Sequence, residues 1–146
     1  MRKASIPRVR FFFLESRPNL KSRTRLKSFI DSIFKKEKKI LGSINFIFTN
    51  DKIVRKINKE YLNHDFNTDI ITFDLSEKKN AITAEVYISC DRVKENAQIH
   101  KTSLEKELHR VVFHGSLHLC GYNDKTSKES NQMRNKEDLY LLKYFA

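Results

Sequence analysis

Three of the chain's five His fall in one short stretch, His109-Arg-Val-Val-Phe-His114-Gly-Ser-Leu-His118-Leu-Cys-Gly121-Tyr-Asn-Asp124. His114 and His118 are four residues apart, so on a helix they emerge on one face, one turn from each other. Two imidazoles in that relation can both reach a cation at about 2.0–2.1 Å. Gly121 follows three residues later and can take the left-handed conformation that ends a helix and turns the chain back. Asp124 then stands where its carboxylate could return to the same ion. Two neutral imidazoles and one carboxylate leave a fourth position for water, as in catalytic rather than structural zinc sites. The helix is strongly apolar, and burying imidazoles without partners there would be costly. The pattern points to a metal.

Neighbouring residues are read differently. At about 100° per residue, Cys120 points away from the two His and is expected to be a small buried apolar group. His109 lies five residues before His114, off the metal-facing stripe, and is expected to be structural or to support a ligand. The spacing H-x-x-x-H-x-x-G-x-x-D also matches the skeleton of metzincin proteases. Those enzymes need a Glu directly after the first His as general base. That position is Gly115 here, which argues against proteolysis and is expected to leave open space beside the metal for a bulky substrate such as a nucleotide chain.

These side chains need elements to position them. Arg8–Leu14 is rich in strand formers and stops at Ser16-Arg17-Pro18. Apolar residues from Asn19 to Leu41 recur with helical spacing, with Gly42 as the expected stop. Ser43–Thr49 alternates as a second strand. Asn50 or Asp51 can cap a helix to Leu62 whose buried stripe would be Ile53, Val54, Ile57 and Tyr61. Asp69–Leu75 and Ala84–Ser89 read as strands around a polar loop at Glu77–Asn80. A helix near Asp91 would carry Val93, Ala97 and Ile99. Thr102 with Glu105 suggests a capping box opening the His-bearing helix, and Ser127–Tyr144 a last helix burying Met133, Leu139, Leu142 and Phe145. The order β-α-β-α-β-β-α-α-α predicts one α+β domain over residues 1–146. It would hold a mixed four-stranded sheet packed with about five helices, the His pair on a central one.

Composition bounds the rest. The chain has 146 residues, of which 39% are apolar and eleven are Phe, enough for a core. No apolar run approaches the roughly 20 residues of a membrane helix, and Phe11–Leu14 is too short for a signal-peptide core. Two Cys cannot build a disulfide framework, which fits a reduced, cytoplasmic setting without a disulfide partner. Net charge is +11, and residues 1–42 hold 13 of the 29 Lys and Arg but only 3 of the 18 Asp and Glu. Such a concentrated basic region attracts polyanions, nucleic acid above all.

His114-Gly-Ser-Leu-His118-Leu-Cys-Gly121-Tyr122 resembles the H-G-x-L-H-L-x-G-Y-D-H signature of the YbeY family of bacterial rRNA-maturation endoribonucleases. Asn58-Lys-Glu-Tyr61 and Thr68-Asp-Ile-Ile-Thr-Phe73 resemble that family's N-x-x-Y-R and T-D-V-L-S-F-P segments, and Glu85-Val-Tyr-Ile88 sits where it has G-D-I-x-I. The resemblance runs from about residue 8 to the end. It implies a single-strand-specific endoribonuclease with one zinc ion, acting in ribosomal RNA maturation and ribosome quality control with the small ribosomal subunit. The family's first two zinc ligands fall on His114 and His118.

Two departures stand out. The family's third His is Asp124 here. Asp is a legitimate zinc ligand, but its charge lowers the site from +2 to +1 and makes the metal a weaker Lewis acid. Alternatively, Asp124 hydrogen-bonds to a ligand instead of binding the ion. The Arg after the family's Tyr is Leu62, so a phosphate contact is missing there, for which Lys56, Lys59 or an N-terminal cation is available. Arg23, Lys27, Lys35 and Lys39 on the first helix are the expected RNA contacts. Asp69 and Glu85 are candidates for a general base, and Phe11-Phe12-Phe13 is expected to be core rather than a stacking surface. A second function fits the same residues: a non-catalytic, ribosome-associated RNA-binding factor with a structural metal. Retained RNA cleavage without metal would refute the metal-dependent nuclease.

Overall fold

The computed structural model describes residues 7–77 and 81–146. Of the loop expected at Glu77–Asn80, residues 78–80 therefore lie outside the described residues. The elements follow in the expected order: β1 (Val9–Phe13), α1 (Arg23–Lys36), β2 (Leu41–Thr49), α2 (Asp51–Leu62), β3 (Ile70–Asp74), β4 (Ile82–Ser89), α3 (Cys90–Ile99), α4 (Leu104–Leu119) and α5 (Ser127–Tyr144). The strands form one mixed sheet in the order β1-β2-β4-β3. β1 and β4 run parallel to β2, with Phe11 opposite Phe46 and Phe46 opposite Val86. β3 returns antiparallel along β4, placing Thr72 opposite Val86.

Alternation along the strands sets the core. Ile44, Phe46 and Phe48 of β2 and Ala84, Val86 and Ile88 of β4 are buried together with Leu26, Ile30, Ile33 and Phe34 of α1 and Leu108, Val112, Phe113 and Leu117 of α4. Each fully buried Phe contributes roughly 1.5–3 kcal/mol relative to exposure. α4 is thus a central helix, held between the sheet, α1, α3 and α5.

Several expectations are corrected. α1 ends at Glu37 because Lys38 takes a left-handed backbone (φ 59), so Gly42 is not its stop. Gly42 instead sits at an irregularity in β2, between Leu41 and Ser43, where a Cβ would come within 3.1 Å of the Ile82 carbonyl oxygen. Gly115 does not open space beside the site. It is buried, and a Cβ there would lie 2.9 Å from Ile70 Cδ1 and 3.2 Å from Val86 Cγ1, so glycine lets α4 approach β3 and β4 closely. The cap of α4 is Ser103, not Thr102, and its hydroxyl accepts from the Lys106 amide at 3.1 Å. On α2 the buried residues are Val54 and Asn58, and Asn58 donates to the Phe66 carbonyl while Tyr61 is exposed. Ile99, Leu139, Leu142, Phe145 and Phe12 are exposed too. Met133 is buried as expected, and α5 buries Glu137, Tyr140, Leu141 and Tyr144 beside it. This is a true helical stripe that an apolar count misses because it contains Tyr and Glu.

Candidate active site

α4 delivers the histidines and α5 a carboxylate to meet one of them. His114 Nδ1 is 2.7 Å from Glu137 Oε2, and the His114 Nε2 is 3.4 Å from Asp124 Oδ2. Glu137 is buried, and its other oxygen accepts from Arg110 Nη1 at 3.0 Å, while Arg110 Nη2 donates to Asp138 at 2.7 Å. Glu137 accepts a hydrogen bond from the Nδ1–H, which fixes the ring and turns the Nε2 edge toward Asp124. Burial disfavours the imidazolium of His114, but the hydrogen bond and charge of Glu137, aided by Asp124 and Asp69, outweigh it and raise its pKa.

Asp124 arrives as expected beyond a left-handed Gly121 (φ 106). Its carbonyl accepts from Ser130 Oγ at 2.9 Å, and Thr126 with Glu129 forms the capping box that starts α5 just after it. Asp69, immediately before β3, also faces the site. Burial raises its pKa against the lowering charge of His114, and Asn96 Nδ2 stands 3.4 Å from its Oδ2. These groups surround a cavity of about 250 Å³ whose lining includes Asp69, Asn96, Arg110, His114, Asp124 and Glu137. Arg134 also lines it, and among the described residues no carboxylate pairs with its guanidinium.

The three expected ligands are only partly brought together. His114 and Asp124 meet at one point, whereas His118 is exposed one turn further along α4 and does not line the cavity. Among the described residues no three His, Cys, Asp or Glu side chains are gathered closely enough to hold a metal ion. In chemistry, however, the donors suit zinc. An imidazole whose second nitrogen is bound to a carboxylate is the usual form of a metal-binding His.

Other expected residues lie elsewhere. His109 is buried and its Nδ1 lies 2.6 Å from the Glu105 carbonyl oxygen, which makes it structural. Cys120 is buried as expected, and burial pushes its thiol up to about 12. Glu85 lies near the Tyr87 hydroxyl (3.4 Å) and lines, with Lys56, Tyr61 and Phe73, a separate cavity of about 460 Å³. Of the expected RNA contacts, Arg23 sits 4.5 Å from the Phe13 ring centroid and Lys27 5.6 Å from that of Phe11. Lys35 pairs with Asp31 at 3.1 Å, and Lys39 is exposed. None of the four lines the His114 cavity. Sequence reasoning missed Glu137 and Arg110. The available signal was Glu137 standing four residues after Met133 on the inward stripe of α5.

The fold is shared with the solution structure of TM1509 from Thermotoga maritima, with a TM-score of 0.64 and 30% identity over 94% of this chain and 89% of that one. Curated relatives named Endoribonuclease YbeY include that of Cytophaga hutchinsonii, 47% identical over 90% of this chain and 92% of the relative. Another, from Christiangramia forsetii, is 43% identical over 87% of this chain and 88% of the relative. Domain, cleft and likenesses together define a hydrolase of the endoribonuclease class. A family model described as Endoribonuclease YbeY matches residues 15–145, and the chain belongs to the YbeY family.

Proposed function

We propose that this chain cuts single-stranded RNA during ribosomal RNA maturation and ribosome quality control, in the cytoplasm and in association with the small ribosomal subunit, using one zinc ion held by His114, His118 and Asp124. The observation that carries the proposal is His114 itself, its two nitrogens turned to Glu137 at 2.7 Å and to Asp124 at 3.4 Å on the wall of a cleft. An imidazole so oriented is prepared to give its Nε2 lone pair to a cation. Bound there, zinc supplies Lewis acidity at the scissile phosphodiester.

The chain's own residues do the rest. Glu137 accepts the hydrogen bond of His114 Nδ1–H and so holds the ring orientation, and Arg110 holds Glu137 in turn. Asp69, whose raised pKa favours the protonated carboxyl, is placed to hold or pass a proton within the cleft. Arg134 is the cleft cation available for a phosphate. Phosphates further along the strand are drawn to Arg23, Lys27, Lys35 and Lys39.

Elemental analysis of the purified protein tests the metal, with cleavage of single-stranded ribosomal RNA measured on the same samples. Wild type is expected to carry about one zinc, and His114→Ala and His118→Ala to lose both zinc and cleavage. Undiminished cleavage by metal-free His118→Ala would refute the reading.

A further inference from the structure

Away from the cleft lining, one carboxylate gathers three donors from distant parts of the chain. Glu37, the residue that ends α1, accepts from the Tyr122 hydroxyl at 2.6 Å on Oε1. On Oε2 it accepts from the Tyr140 hydroxyl at 2.5 Å and from Lys136 Nζ at 3.1 Å. Its side chain is only 10% exposed. Lys136 Nζ also stands 5.6 Å from the Tyr122 ring centroid. Burial by itself would raise the carboxyl pKa, yet the hydrogen bonds of Tyr122, Tyr140 and Lys136 bring it below its ordinary value, so Glu37 is held ionised. An ionised acceptor with three donors is well satisfied, and charge-assisted bonds of this kind are roughly twice as strong as neutral ones.

What these donors carry gives the cluster its meaning. Tyr122 stands two residues before Asp124, in the turn that leaves α4. Lys136 and Tyr140 flank Glu137 on α5. Asp124 and Glu137 are the two carboxylates that face the two nitrogens of His114. One side chain from α1 therefore ties down both segments that deliver them. The Asp124 loop is otherwise held by the Tyr122 amide on the Leu117 carbonyl at its near end and, at its far end, by Ser130 on the Asp124 carbonyl and the α5 capping box.

We infer that Glu37 is a positioning residue for the metal centre, clamping the Asp124 turn and α5 so that Asp124 and Glu137 meet His114. The inference rests on the zinc reading above and deepens it. Groups that orient metal ligands are typically worth 10- to 100-fold in metal affinity or activity, whereas a purely structural carboxylate would lower stability and leave affinity alone.

The test is zinc affinity of the full chain, by competition with a chromophoric chelator, beside thermal unfolding of the metal-free protein. Glu37→Ala is expected to weaken zinc binding roughly 10-fold or more, and Tyr122→Phe severalfold. In an Asp124→Ala background the Glu37 substitution is expected to cost less than in wild type, because the two act on one ligand. If Glu37→Ala does not fold, Tyr122→Phe decides alone. Zinc affinity within twofold of wild type in these variants, while Asp124→Ala loses it, would overturn the positioning role and leave the zinc reading standing. Unchanged affinity in Asp124→Ala would overturn both.

Discussion

His109 and His114 are five residues apart on one helix and live in opposite surroundings. His109 stands in an aromatic nest, its ring 5.1 Å from that of Tyr144, 5.0 Å from Phe145 and 6.2 Å from Phe113. Among the described residues its one polar partner is a helix carbonyl, that of Glu105. His114 lies between two carboxylates on a cleft wall. Burial lowers the pKa of the first, while Glu137 and its neighbours, outweighing burial, raise that of the second. Each region has its own cation as well. In the nest, the Arg25 guanidinium lies 4.1 Å from the Tyr144 ring centroid and donates to the Tyr144 carbonyl. At the cleft, Arg134 faces the cavity. The same residue types serve packing at one end of α4 and chemistry at the other, and their partners make the difference.

Removing that partner should break the contrast most strongly. Glu137→Gln keeps the shape of the side chain but removes the charge that orients His114 and holds Arg110. Cleavage and zinc affinity are expected to fall roughly 10- to 100-fold, with little change in KM for RNA. The same loss should not follow substitution of Tyr144, the aromatic counterpart on α5. Single-turnover cleavage and chelator competition read both quantities.

A smaller effect separates the two arginines. If Arg134 holds a phosphate in the cleft, Arg134→Ala should raise KM severalfold, leave kcat nearly unchanged and lower the slope of log affinity against log salt by about 0.7, one phosphate contact to a single strand. Arg25→Ala should leave that slope where it is and instead lower stability, since its guanidinium packs on Tyr144. Equal salt slopes in the two variants would mean that the cleft does not hold the phosphate.

Much of this site could be read from sequence because it is local. The left-handed Gly121 and the approach of Asp124 to His114 follow from chain geometry over a few residues, whereas His118, one turn on, does not line the cavity. The element order followed from periodicity for the same reason. What escaped was whatever depends on segments meeting across the fold. Glu137 reaches His114 over 23 residues and Glu37 reaches Tyr122 over 85, and no spacing rule marks either. Gly115 was misread as open space because the side chains that crowd it, Ile70 and Val86, come from strands it meets only after folding. The basic first helix is prominent in charge, yet Arg23 and Lys27 lie over Phe rings, Lys35 pairs with Asp31, and none of them lines the cleft.

The finest distinction between the two histidines is the sign of their link to stability. For His109 the cause is burial, only partly offset by the carbonyl of Glu105. Its folded-state pKa is lowered, so the unfolded chain binds the proton more readily than the native one. Stability is therefore unaffected above the ordinary His pKa of about 6.5 and is lost as pH falls through that value toward the lowered folded one. His114, whose pKa is raised, acts in the other direction and cannot mimic this loss. His109→Leu is expected to leave cleavage at neutral pH unchanged and to flatten the fall in thermal stability of the metal-free protein between about pH 7 and pH 5. Melting temperatures of wild type and variant across that range measure the difference directly. Parallel curves would show that His109 takes up its proton in the folded nest as readily as in the unfolded chain, and the contrast along α4 would reduce to one of hydrogen-bond partners alone.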